Sequence, residues 1–335
     1  MKRLFTILFA ALLTVFGTAA SGWMADSLGD GFEMRYVDQP ADYAGPVRCT
    51  IVRYRPDGHR VSGTGVLYIH GYNDYFFQAE MARQFAAHGY DFYAVDLRKY
   101  GRSLMPGQVM CQVRDMREYF ADIDSTLQQM HRDGVDRIVL FGHSTGGLTA
   151  AYYMSQFPDP SIRALMLNSP FLDWNQSKFQ EKFLVPLVRT FHKAFPNKVM
   201  NRSDDPSYSW SLLKGHGGEW TYNVEWKRPC SVPATASWIA AIDAAQDVVQ
   251  ADPKIMVPIL LMHSDRSLRH GDPASDYHCT DAVLDVRDIA FYGRRLGPVV
   301  TELTVRGGLH DLILSAPAIR TALYTYIFTW LPRHI

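Results

Sequence analysis

The sequence predicts an α/β protein: a mostly parallel eight-stranded sheet, helices on both faces and one large insertion. Three observations predict it. Short apolar runs alternate with stretches of helical spacing along most of the 335 residues. Those runs are near-continuously apolar, as strands covered on both faces must be. The alternation stops after Phe171 and resumes at Val257, so the intervening residues sit over the sheet and are not part of it.

Phe32 to Val37 and Val47 to Tyr54 read as an opening hairpin joined by a Pro-containing turn. Gly65 to Gly71 (GVLYIHG) is a third strand ending in His-Gly. Phe77, Met81 and Phe85 have helical spacing, and Gly89 suits the end of that helix. Asp91 to Leu97 is the next strand, followed by a basic glycine turn through Ser103. Val113, Met116, Phe120, Ile123, Leu127 and Met130 mark a long amphipathic helix closed by Gly134. Arg137 to Phe141 is a buried strand running into Gly142-His143-Ser144-Thr145-Gly146 and a small-residue helix through Tyr153. Ala164 to Leu167 is a further strand. After the insertion come a strand at Val257 to Met262, a helix over Ala282 to Leu296, a strand at Val299 to Val305 and a closing helix over Ala316 to Trp330. The predicted organisation is therefore residues 30–171 and 251–333 as the core, with 172–250 inserted between them.

The chain is 47% hydrophobic and 20% charged, with zero formal net charge. No global field would draw nucleic acid to it, so nucleic acid is not an expected partner. Met1-Lys2-Arg3, an apolar Leu4 to Ala20 and the small residues before Ser21 read as an export signal over residues 1–20. An uncleaved anchor is the less favoured reading, because the stretch falls short of the ~20 apolar residues of a spanning helix. The protein is expected to be periplasmic or secreted. Its four cysteines, Cys49, Cys111, Cys230 and Cys279, lack zinc-finger spacing. No metal or cofactor is expected, and the cysteines read either as one or two disulfides in an oxidising compartment or as buried free thiols.

Ser144 stands at the apex of a strand–turn–helix. Such a turn pushes the serine outward beside exposed backbone N–H groups, and Gly142 and Gly146 allow the strand and helix to approach. In open parallel sheets functional groups gather at the carboxyl ends of strands. Those ends supply His70-Gly71-Tyr72, Ser144, the stretch His263 to Asp281, and Gly307-Gly308-Leu309-His310-Asp311. A serine nucleophile needs an imidazole to take its proton, and the imidazole needs a carboxylate to hold its tautomer. The order in the chain is Ser, Asp, His.

The chain resembles the α/β-hydrolases, specifically the serine-aminopeptidase S33-like and monoacylglycerol-lipase/lysophospholipase-like group. The residues that carry the resemblance are His70-Gly71, Asp96 to Ser103 (DLRKYGRS), Gly142 to Gly147 (GHSTGG) and Gly308-Leu309-His310-Asp311, over about residues 30–333. The resemblance implies Ser144 as nucleophile, His310 as general base and the N–H groups of Tyr72 and Thr145 as the oxyanion hole. It also makes residues 172–250 a lid. His70 and His143 flank the turns and are expected to shape the site.

Two carboxylates are open as the acid. Asp265 directly follows the strand ending at Ser264. Asp281 opens the Asp-x-Val start of the next helix and lies 29 residues before His310. Asp281 is preferred, and the residues inserted between the two are a departure from the family pattern. A Cys230–Cys279 disulfide would tie the lid to the loop bearing Asp281.

The expected substrate is a small-molecule or lipid acyl ester such as a lysophospholipid or monoacylglycerol. Lys178 to Arg202 interleaves basic residues with Phe179, Phe183, Leu184, Leu187, Phe191 and Phe195, which suits transient contact with a membrane surface. Tyr72, Tyr75, Phe76 and Phe77 suggest an apolar acyl pocket or simply core packing. An S33-type aminopeptidase would instead need an acidic group for the substrate amine, for which Glu219 is the best candidate. A non-catalytic binding protein of the same fold is the reading from another class.

Overall fold

A computed structural model of the chain describes residues 22–175, 183–201 and 204–335. The expected export signal at 1–20, and Lys178, Phe179, Lys182 and Arg202 of the insertion, lie outside the described residues.

The strands are β1 (Met24–Ala25), β2 (Phe32–Asp42), β3 (Gly45–Tyr54), β4 (Thr64–Ile69), β5 (Asp91–Asp96), β6 (Arg137–His143), β7 (Ile162–Asn168), β8 (Val199–Asn201), β9 (Ala234–Thr235), β10 (Ile259–Ser264) and β11 (Val300–Val305). The helices are α1 (Ala79–Ala87), α2 (Phe120–Arg132), α3 (Thr145–Gln156), α4 (Val185–Phe191), α5 (Ser207–Leu212), α6 (Ala236–Gln250), α7 (Val286–Gly293) and α8 (Pro317–Trp330). The main sheet has the order β1-β2-β3-β5-β4-β6-β7-β10-β11. From β5 to β11 all neighbours are parallel, whereas β1, β2 and β3 join antiparallel.

The sheet is mixed and has nine strands, one more than expected. The added strand is β1, whose two residues pair with Met34 and Glu33 at the edge. Two residues carry no periodicity, so nothing in the sequence marks them.

Alternate side chains of each central strand feed two separate cores, as the period of 2 requires. Leu67 and Ile69 of β4 pack with Ile123, Leu127 and Met130 of α2 on one face. Val66 and Tyr68 pack with Phe85 of α1 and Ile327 and Trp330 of α8 on the other.

Two boundaries move. Trp238, Ile242, Ala245 and Val249 of α6 lie in the first core, so α6 is the crossover helix from β7 to β10 and not part of the insertion. By packing, the insertion ends near Thr235 and not at residue 250. The helix expected from Ala282 begins at Val286, because Asp285 caps it by accepting from the Arg287 N–H at 2.9 Å.

All four cysteines are free thiols. A Cys230–Cys279 bond is not formed: Cys230 Sγ contacts the Asp204 carbonyl at 3.5 Å, and Cys279 Sγ accepts from Arg266 at 3.8 Å.

Candidate active site

Ser144 sits between β6 and α3 at φ 54° and ψ −120°. A serine in that region is strained by about 1–3 kcal/mol and must be held by its surroundings. The holding is visible. A Cβ on Gly142 would lie 2.4 Å from the Gly146 carbonyl oxygen, and one on Gly146 would lie 2.3 Å from that of His70. Neither position admits a side chain. The Ser144 N–H donates to Asn168 O at 3.0 Å, and its carbonyl accepts from Phe171 at 3.0 Å. Thr145 opens α3, so its N–H is among those a helix leaves without an intrahelical partner.

His310 follows β11 in a loop held from several sides. The Gly307 N–H donates to Asp265 Oδ1 at 2.8 Å, and Ser264 Oγ donates to Gly308 O at 2.6 Å. Asp311 accepts from Asn168 at 2.7 Å and from Gln78 at 3.1 Å. His310 Nδ1 lies 2.9 Å from Asp281 Oδ2, with both side chains almost fully buried. The other Asp281 oxygen accepts from the Val283 and Leu284 N–H groups at 2.9 and 2.8 Å. A carboxylate so held fixes the orientation of the His310 ring through Nδ1.

The residues inserted before Asp281 leave the sheet edge and return to it. Ser267 and Asp281 form a bridge, with Leu268 N–H donating to Asp281 O and Asp281 N–H to Arg266 O. The excursion therefore delivers Asp281 back to the strand end. Asp265, the other carboxylate considered, is spent on the Gly307 backbone.

Ser144 and His310 line one cavity of about 420 Å³, together with Tyr72, Asn73, Asp74, His143, Tyr208 and Lys227. Gly71 brings the preceding loop against the serine, since a Cβ there would be 3.1 Å from Ser144 Cβ. Tyr72, Ser144 and Thr145 also line a second chamber of about 210 Å³, walled by Phe171, Trp174, Val232, Trp238 and Leu284. Trp174, Ala234 and Trp238 are shared with a third, apolar chamber of about 230 Å³ under α4.

The remaining expected residues fall into supporting places. His70 donates from Nδ1 to Gly71 O at 2.8 Å and accepts the Leu97 N–H on Nε2 at 3.1 Å. His143 donates to Asn168 O at 3.1 Å, and burial holds its pKa below the ordinary histidine value. Of the aromatics after the β4 turn, Tyr72 lines both chambers that meet at Ser144. Phe76 packs between Tyr68 and Phe92, while Tyr75 meets Trp226 edge-on and Phe77 packs tilted against Tyr222. Glu219 is ion-paired with Arg320 and does not line the cavity.

Sequence reasoning missed Asn168, Tyr208 and Trp238. Asn168 ends an apolar strand and ties Ser144 to the His310 loop, and a buried polar strand end is the signal that marks it. Tyr208 packs its ring 6.0 Å from that of His310. Burial first, then the Asp311 and Asp281 charges, push its phenol pKa well above the ordinary value.

The model of the serine aminopeptidase S33 family matches residues 63–268, more than half the chain. The chain belongs to that family. It is an α/β-hydrolase, and its relatives include an esterase and a monoacylglycerol lipase. It is 24% identical to a monoacylglycerol lipase of Mycolicibacterium smegmatis, over 81% of this chain and 88% of that one. It is 26% identical to a bifunctional esterase/perhydrolase of Acinetobacter calcoaceticus, over 54% of this chain and 66% of the relative, just short of two thirds of its length. A soluble variant of monoglyceride lipase from Saccharomyces cerevisiae, solved with a substrate analogue, superposes with a TM-score of 0.60 at 15% identity, covering 90% of this chain and 96% of that one. That likeness speaks to the fold alone.

Proposed function

We propose that this α/β-hydrolase cleaves carboxylic esters that join an apolar acyl chain to a small polar alcohol, as in monoacylglycerols or lysophospholipids. Ser144 Oγ attacks the acyl carbonyl while His310 Nε2 takes its proton. Asp281 keeps His310 in the required tautomer. The N–H groups of Tyr72 and Thr145 receive the oxyanion. The alcohol leaves with the proton from His310, and a water activated by the same ring then releases the acid from Ser144.

The observation that carries this reading is that His310, paired at 2.9 Å with buried Asp281, lines one cavity with the strained Ser144. The chamber walls support the choice of ester. The tryptophan-walled side suits an acyl chain, and the side with Asn73, Asp205, Tyr208 and Lys227 suits a polar leaving group. An aminopeptidase would require an acidic group facing the substrate amine, and the pairing of Glu219 with Arg320 speaks against that candidate.

The core of this reading is 30–171 with the return from α6 onward, and the lid is the segment between them. Phe183, Leu187 and Phe195 on the lid are more than half exposed and lie among basic residues. This supports transient contact with an anionic lipid surface.

The test is a fluorophosphonate probe followed by a panel of p-nitrophenyl acyl esters and aminoacyl anilides. We expect covalent labelling at Ser144 and turnover of esters. Turnover of anilides alone would make the protein an aminopeptidase. An unlabelled Ser144 with no turnover would make it a binding protein.

A further inference from the structure

Five of the six residues after Gly71 are tied to the inserted segment 222–232. Tyr72 donates its hydroxyl to Val232 O at 3.0 Å. Asn73 donates Nδ2 to Arg228 O at 2.9 Å and accepts the Arg228 N–H on Oδ1 at 3.2 Å. Asp74 is paired with Lys227 at 3.0 Å, with both side chains buried. Tyr75 accepts the Asn223 N–H at 2.7 Å, and Phe77 packs its ring 5.2 Å from that of Tyr222. Loops normally move more than the elements they join, and this one is held along its length.

We propose that Asn73 is a positioning residue for the oxyanion, and that the inserted segment is the outer half of the oxyanion site. The inference rests on reading the Tyr72 N–H as an oxyanion donor. One donor of that kind contributes about 10²–10³ in rate, and only if it is held within about 0.5 Å of its working position. Ser144 limits the loop from the inside, through its close approach to Gly71. Asn73 limits it from the outside.

The geometry at Asn73 is specific to that task. Its φ is +51°, a left-handed conformation that asparagine tolerates better than most residues. Its amide bonds both the N–H and the C=O of one residue, as a neighbouring strand would. Fixing the backbone on either side of Tyr72 in this way sets where the Tyr72 N–H points. The insertion is thus coupled to the chemistry: any displacement of 222–232 also releases the donor.

Asn73→Gly separates the parts, because glycine keeps the left-handed backbone and removes both bonds. With p-nitrophenyl esters we expect kcat to fall about 10–100-fold while KM changes less than about threefold. Fluorophosphonate labelling of Ser144 should slow in parallel. Affinity for an alkyl boronate, which carries the tetrahedral charge, should fall with kcat/KM, while inhibition by the product carboxylate stays unchanged. Asn73→Asp, which keeps only the acceptor, should fall between Asn73→Gly and wild type. Tyr72→Phe, which removes the hydroxyl clamp on Val232, provides a second route and should lose about 3–10-fold in kcat.

Unchanged kcat and boronate affinity in Asn73→Gly would overturn the inference, as would a loss that appears in KM with boronate affinity intact. If Asn73→Gly does not fold, the kcat and boronate readings in Tyr72→Phe decide it by the same criteria. Wild-type protein that neither labels nor turns over esters would instead overturn the underlying hydrolase reading.

Discussion

The two chambers that meet at Ser144 are built from different parts of the chain and in different chemistry. The larger, about 420 Å³, presents asparagine, aspartate, tyrosine, lysine and histidine, drawn from the β4 turn, the insertion and the loop carrying His310. The smaller, about 210 Å³, is walled mainly by Phe171, Trp174, Val232, Trp238 and Leu284 and opens toward a further apolar space under α4. An ester has the same asymmetry. Its acyl chain gains by leaving water, at roughly 0.8 kcal/mol per buried methylene. Its alcohol carries hydroxyls that lose by the same transfer unless they are hydrogen-bonded. On the proposed reading, the difference between the chambers would orient an ester before any catalytic group acts.

The largest effect is expected at the serine between the chambers. Ser144→Ala should reduce ester turnover by about 10⁴-fold or more, for every acyl length and every alcohol alike. Residual rates that depend on only one side of the ester would mean that a chamber acts without the serine. Next in size is the pair of carboxylates. Asp281→Asn should lower kcat by about 10²–10⁴-fold. Asp265→Asn, which loosens the backbone of Gly307, should cost less than about tenfold. Steady-state kinetics with one ester measure both, and a reversed ranking would move the acid to Asp265.

A smaller effect sharpens the contrast itself. Trp174 is shared by both apolar chambers, so Trp174→Ala should join them. The preferred acyl length should then rise by two or more carbons, with a gain of several-fold for the longer chain. Preference among alcohols should stay the same, and competition between esters in one mixture reads both quantities. The smallest effect is expected at the cysteines. Since Cys230 and Cys279 are unbonded, the double change to serine should move the thermal midpoint by less than about 3 °C. A bond formed in the oxidised protein would instead appear as a drop of about 2–4 kcal/mol in stability on reduction.

Pattern alone set the order of the eight core strands, their mostly parallel pairing and the positions at their ends. These follow from local physics: apolar runs make strands, helical spacing makes helices, and Gly142 and Gly146 permit the turn at Ser144. It also placed His310 in a loop after a strand, because glycines and the chain order Ser, Asp, His are local or one-dimensional features. The choice of Asp281 over Asp265 as the partner of His310 came from the fold. That choice depends on a bridge between Ser267 and Asp281 which closes the excursion between them, and no periodicity encodes a bridge. The same holds for α6, whose place in the core came from contacts with α3 and not from its own pattern. It holds as well for the grip of Asn73 on Arg228, two residues separated by 155 positions in the chain. Side-chain bonds over such separations arise only after the chain has closed, so Ser144 was legible in the sequence and the walls around it were not.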